Sequence, residues 1–67
     1  MFQLLTCMYD GKPWNKYNII RVSSEEIFYK ALTQKYIRAQ GKNSEDETLY
    51  VITEKGKEEY RKWKRKF

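Results

Sequence analysis

Thr48-Leu49-Tyr50-Val51-Ile52-Thr53-Glu54-Lys55-Gly56 holds two strong local signals back to back. Residues 48–53 are rich in β-branched and aromatic side chains, which fit a pleated, half-buried surface, and they make the best strand in the chain. Thr53 is then a good helix N-cap, and Glu54 lies where a negative charge favours the first turn. A strand running straight into a last helix, predicted to extend through Phe67, follows from these residues.

Upstream, Tyr36-Ile37-Arg38-Ala39 alternates weakly and reads as a second strand. Gln40 to Glu47 is polar, with Gly41 and Asn43 suited to turn conformations, so the two strands should form a hairpin. Before it, Ser23 followed by Glu26 fits a capping box, with Ser24 a competing cap one residue later. The helix it opens should run to about Lys35. At 100° per residue, Ile27, Phe28, Ala31 and Leu32 share one face, and Glu25, Glu26, Tyr29, Lys30 and Thr33 share the other. Earlier still, residues 15–21 suit a short helix capped by Asn15, with Tyr17, Ile19 and Ile20 as apolar contacts. Val22 and Ser23 would form the turn after it. Asp10-Gly11-Lys12-Pro13 is a stop and turn. Residues 2–9, with Phe2, Leu4, Leu5, Met8 and Tyr9, suit a first helix facing a core.

With 67 residues, the expectation is one domain spanning 1–67 and a small core. Eleven aromatic residues supply large buried area per side chain. The lone Cys7 lies in an apolar stretch, reads as a core thiol and suits a reducing, cytoplasmic setting. No apolar run approaches the ~20 residues that span a bilayer, so no membrane partner is expected. Phe2-Gln3-Leu4-Leu5 is too short for a signal peptide. The net charge of +5 is unevenly placed. Residues 1–54 hold seven Lys/Arg and seven Asp/Glu, whereas residues 55–67 hold seven Lys/Arg against Glu58 and Glu59. All the excess sits at one end, which points toward an anionic partner.

The order helix, helix, helix, strand, loop, strand, helix resembles the winged helix-turn-helix family, especially small bacterial or phage regulators similar to the multiple-antibiotic-resistance and phenolic-acid regulator types. Leu32-Thr33-Gln34-Lys35-Tyr36-Ile37 looks like the end of a recognition helix entering the first wing strand. Residues 48–56 are similar to the second wing strand and its L-T-x-x-G helix entry, with Ile52 in place of Leu. The resemblance implies an α+β fold: a three-helix core, a two-stranded β-hairpin wing and a basic C-terminal helix. It implies that the third helix lies in the major groove of double-stranded DNA. Ser24, Glu25, Tyr29, Lys30, Thr33 and Gln34 would then be the exposed positions near bases, with Gln34 suited to adenine and Thr33 to a thymine methyl. Lys16, Ser24, Lys30 and the free amides at the helix start would meet phosphates, and Arg38 and Lys42 are the wing's basic groups.

Two features pull the other way. Glu25 and Glu26 would repel phosphates, and the loop Lys42-Asn43-Ser44-Glu45-Asp46-Glu47 is acidic on its descending side. They favour the alternative of a protein-interaction module, a phage or mobile-element accessory factor, that docks through its acidic helix start and wing. In the last helix, Lys55, Lys57, Arg61, Lys62, Lys64, Arg65 and Lys66 suit phosphates, with Arg61, Lys62 and Arg65 as the leading candidates; they also suit a solvated face. Tyr60, Trp63 and Phe67 form an i, i+3, i+7 stripe that packs on the domain or on a second copy in a homodimer. Stacking on single-stranded nucleic acid or lying on a membrane surface are the lesser alternatives. The chain has no histidine, Cys7 has no imidazole to activate it, and the glycines form no phosphate loop. No cofactor and no catalysis are expected.

Overall fold

The computed structural model describes residues 1–66. It shows a small α+β domain whose described residues form α1 (Phe2–Met8), β1 (Trp14–Asn15), α2 (Lys16–Val22), α3 (Glu25–Thr33), β2 (Ile37–Lys42), β3 (Thr48–Ile52) and α4 (Glu54–Arg65). The sheet is antiparallel in the order β1-β3-β2.

The expected two-stranded hairpin is therefore a three-stranded sheet. Trp14 pairs with Tyr50 and Asn15 with Leu49, which makes β3 the central strand. Two residues are too few to show alternation, so β1 exists only through its partner. Between β2 and β3, Ile37 faces Ile52, Arg38 faces Val51 and Ala39 faces Tyr50, and the register then shifts before Lys42 meets Thr48. Gln40 and Gly41 oppose Leu49 alone in this bulge, where Gly41 has φ 120°.

The helix ends follow their caps. The Asn15 side chain accepts from the Asn18 amide at 2.8 Å, as the sequence predicts. Thr53 Oγ1 accepts from the Gly56 amide at 3.0 Å and starts α4. The capping box on Ser23 is corrected: Ser24 caps α3, accepting from the Ile27 amide at 3.1 Å. Ser23 instead donates its hydroxyl to the Ile19 carbonyl at 2.6 Å and closes α2. With the cap shifted by one, an apolar Ile27 occupies the third helical position, and Glu26 loses its reciprocal role.

At its other end α3 stops at Thr33, two residues before the expected Lys35. Lys35 turns left-handed at φ 64°. Its amide donates to Leu32 O at 3.0 Å and the Tyr36 amide to Ala31 O at 2.9 Å, a Schellman ending with lysine where glycine is usual.

Leu4, Leu5, Met8, Ile19, Phe28, Ala31, Ile37 and Ile52 form the buried cluster. Ile27 and Leu32 are only half-buried at its edge. Cys7 is half-buried rather than in the core, because α1 turns Leu4 and Met8 inward instead. Tyr17, expected as an apolar contact, points out and is 70% exposed. It lies 200° around the helix from the buried Ile19.

Candidate nucleic-acid interface

α3 packs on α2 and β2, which leaves its other side in solvent. Tyr29, Lys30 and Thr33 are exposed there within about 6 Å of helix, together with Gln34 at the C-cap. Ser24 is half-buried, and its hydroxyl is engaged in capping. Glu25 and Glu26 stand exposed in the first turn.

Lys16, thirteen residues earlier, joins this face. Its Nζ donates to the Tyr29 hydroxyl at 2.9 Å. The ammonium also lies 5.1 Å from the Tyr29 ring centroid and 5.6 Å from that of Phe28. The hydrogen bond to Tyr29 is the main cause that raises the Lys16 pKa above its ordinary value, with a smaller contribution from Glu25. Phe28 is fully buried and meets Tyr29 and Tyr50 edge-on at 5.1 Å, so this cation sits above a ring fixed in the core. Beside it, Asn15, Tyr17, Ile20, Glu47, Thr48 and Tyr50 line an open groove.

The hairpin carries Arg38 exposed near the start of β2 and Lys42 at its end. Lys42 pairs with Asp46 at 3.3 Å. The acidic loop has a structural cause that composition hides. Asn43 Oδ1 accepts from the Glu45 and Glu47 amides at 2.9 and 3.0 Å. Asn43 Nδ2 donates to Glu47 Oε1 at 3.0 Å, and Asn15 Nδ2 reaches the same oxygen at 3.4 Å. Glu47 thus ties the loop to β1, and Asp46 offsets Lys42.

The third group of sequence candidates is on α4. Arg61, Lys62 and Arg65 are exposed and line a shallow depression with Glu58. Arg61 Nη1 donates to the Tyr9 hydroxyl at 3.3 Å, which raises its pKa and ties the ridge to the end of α1. Lys62 is 3.9 Å from Glu59. Tyr60 and Trp63 turn inward against α1: Trp63 stacks on Phe2 at 4.8 Å and 8°, and Tyr60 meets Tyr9 at 4.9 Å. Phe67, the third member of the stripe, lies outside the described residues.

The structure therefore brings Lys16, Tyr29, Lys30, Thr33 and Gln34 to one face, and Arg61, Lys62 and Arg65 to a ridge on another helix. Tyr17 was missed as a surface aromatic, although its angle from Ile19 was the available signal. Among the described residues no group of His, Cys, Asp and Glu is arranged to hold a metal ion, and no helix is long and apolar enough to cross a membrane. Compared with protein-family models, curated proteins and solved structures, the chain finds no match, so the site is read from its own geometry.

Proposed function

We propose that this chain is a small winged-helix protein that binds double-stranded DNA and is not an enzyme. Its element order, with β1 laid on the hairpin beside three helices, is compatible with that arrangement. The observation that carries the reading is the outer face of α3, where Tyr29, Lys30 and Thr33 stand exposed and Lys16 is brought in from α2. An α-helix, about 10–12 Å across with its side chains, fits a major groove about 12 Å wide. Thr33 and Gln34 then face base edges, and Lys16 and Lys30 face phosphates. Glu26, exposed and unneeded for capping, is available to accept from cytosine, the one base contact that favours a carboxylate. The α4 ridge supplies further phosphate contacts or faces a second copy in a homodimer.

The acidic loop has structural partners, Lys42 for Asp46 and the Asn43 and Asn15 amides for Glu47, but it keeps a net negative charge, so the DNA contacts are assigned to α3 and α4 rather than to the loop. Binding of a labelled duplex, followed by fluorescence anisotropy across a salt series, tests it. Affinity should fall steeply with salt, and Lys30→Ala and Arg61→Ala should each reduce it. Absence of binding at low salt overturns the proposal.

A second reading rests on Glu25, Glu26 and Glu45, which stand exposed on the helix start and hairpin tip. There the domain docks a protein, as an accessory factor of a phage or mobile element would. Charge reversal by Glu25→Lys with Glu45→Lys should abolish partner capture; retention of every partner counts against it.

A further inference from the structure

We infer that Lys16 and Tyr29 act as one docking couple for a backbone phosphate of duplex DNA. The inference rests on the DNA-binding reading above and assigns Tyr29 to the phosphate rather than to a base.

The chemistry starts from the 2.9 Å bond between the Lys16 ammonium and the Tyr29 hydroxyl. An ammonium has three protons to donate and a phenol has one. Lys16 uses one proton on the phenol oxygen. That leaves the phenol's own proton free to be donated, and the adjacent positive charge makes it a stronger donor. One anionic oxygen, or two oxygens of one phosphate, can receive from both groups. Tyr29 is 47% exposed and Lys16 is exposed, so neither must move out of the core to do so.

The couple is also held in place before any ligand arrives. A surface lysine normally loses much side-chain freedom when it fixes on an anion. Here Nζ already rests over the rings of Phe28 and Tyr29, and Phe28 is locked in the core. The position on α3 favours a nucleic-acid phosphate over a peptide carboxylate. Lys30, Thr33 and Gln34 extend the same polar face along the helix, a shape suited to a groove flanked by phosphates. Glu25, in the first turn of α3, acts on Lys16 electrostatically.

The experiment is an anisotropy titration of a labelled duplex of about 20 base pairs, two helical turns, between about 50 and about 200 mM salt. Lys16→Ala should weaken binding about tenfold at low salt and flatten the slope of log affinity against log salt by about 0.9, one phosphate contact. Lys16→Arg should restore the slope. Tyr29→Phe should weaken binding several-fold and leave the slope unchanged, because it removes a donor but no charge. Glu25→Gln should tighten binding. All three positions are on the surface, and thermal melts verify that each variant is folded. Wild-type slope in Lys16→Ala, or wild-type affinity in Tyr29→Phe, overturns the couple while leaving DNA binding intact. A wild-type protein that ignores the duplex but binds an oligoglutamate peptide through the same two residues overturns both readings.

Discussion

At the scale of single residues, two positions break ordinary preferences, and each break makes a prediction. Gly56 lies inside α4, where alanine would usually add about 1 kcal/mol of stability. Here a Cβ would collide with the Tyr36 carbonyl oxygen and lie 2.8 Å from Ile52 Cγ1, so the glycine exists for close approach of α4 to the β2 entry. Gly56→Ala should destabilise the fold by about 1–3 kcal/mol, the usual range for overpacking. In a domain this small each kcal/mol lowers the Tm by about 4–8 °C; a variant melting at or above wild type would refute the close-approach argument. Lys35 shows the opposite imbalance. It holds φ 64° at the end of α3, a conformation costing roughly 1–2 kcal/mol for a residue with a Cβ. Lys35→Gly removes that strain and restores chain entropy to the unfolded state, for a net gain of about 0.5–1 kcal/mol. Urea unfolding with an unchanged slope and a higher midpoint is the expected outcome.

At the scale of elements, Thr53 joins three of them. Its hydroxyl oxygen caps α4 through the Gly56 amide. Its proton goes to the Lys35 carbonyl at 2.6 Å, with the Tyr36 carbonyl at 3.1 Å. Thr53→Ala should therefore lose about 1–2 kcal/mol, the upper part of the range for an N-cap, and Thr53→Ser should recover most of it; denaturant midpoints for the pair check this. The caps at Asn15 and Thr53 were legible because capping is a local event between residues three apart. At Ser23 and Ser24 two local solutions competed, and the packing of Ile27 at the core edge selected the later one. β1 was not legible, since two residues carry no periodicity and only pairing with β3 makes them a strand. The same limit hid the candidate site. Exposure of Tyr29, Lys30 and Thr33 follows from the period of α3, but the bond from Lys16 to Tyr29 depends on how α2 and α3 cross. Along α4 and into its C-cap, Arg61 and Arg65, like Lys62 and Lys66, are like charges four residues apart. Such pairs oppose the helix and are screened by salt. Raising salt should thus raise the Tm, provided sulfate and other specifically bound anions are left out. A Tm that falls with added sodium chloride would mean that the ion pairs Lys57–Glu54 and Lys62–Glu59 outweigh the ladder.

At the scale of the whole molecule, the domain is elongated, 40 × 20 × 18 Å, and its charge and packing are segregated. α3 packs on α2 and β2, whereas α4 packs on α1 and β3. The mixed-charge face of α3 and the cationic ridge of α4 are therefore built on different supports. The aromatic side of α4 is turned against Phe2 and Tyr9, which leaves its charges, rather than its rings, as the outward chemistry. On the DNA-binding proposal the two surfaces have separable duties. Charge on the ridge attracts any duplex, and the α3 face distinguishes one sequence from another. Replacing Arg61, Lys62 and Arg65 together by alanine should weaken binding to every duplex alike and flatten the salt dependence by about 2.7, roughly 0.9 for each phosphate no longer neutralised. Thr33→Ala with Gln34→Ala should instead leave the salt dependence unchanged and shrink the difference between preferred and random duplexes, by about 1–3 kcal/mol for each base no longer read. Anisotropy titrations on both duplexes at several salt concentrations measure the two effects together. If the triple variant kept its salt dependence, the ridge would be a solvated face only. On the α3 side the cations left to hold DNA are Lys16, Lys30 and Arg38, and three cations near two exposed glutamates make a weak nucleic-acid surface. That outcome would favour the protein-docking reading.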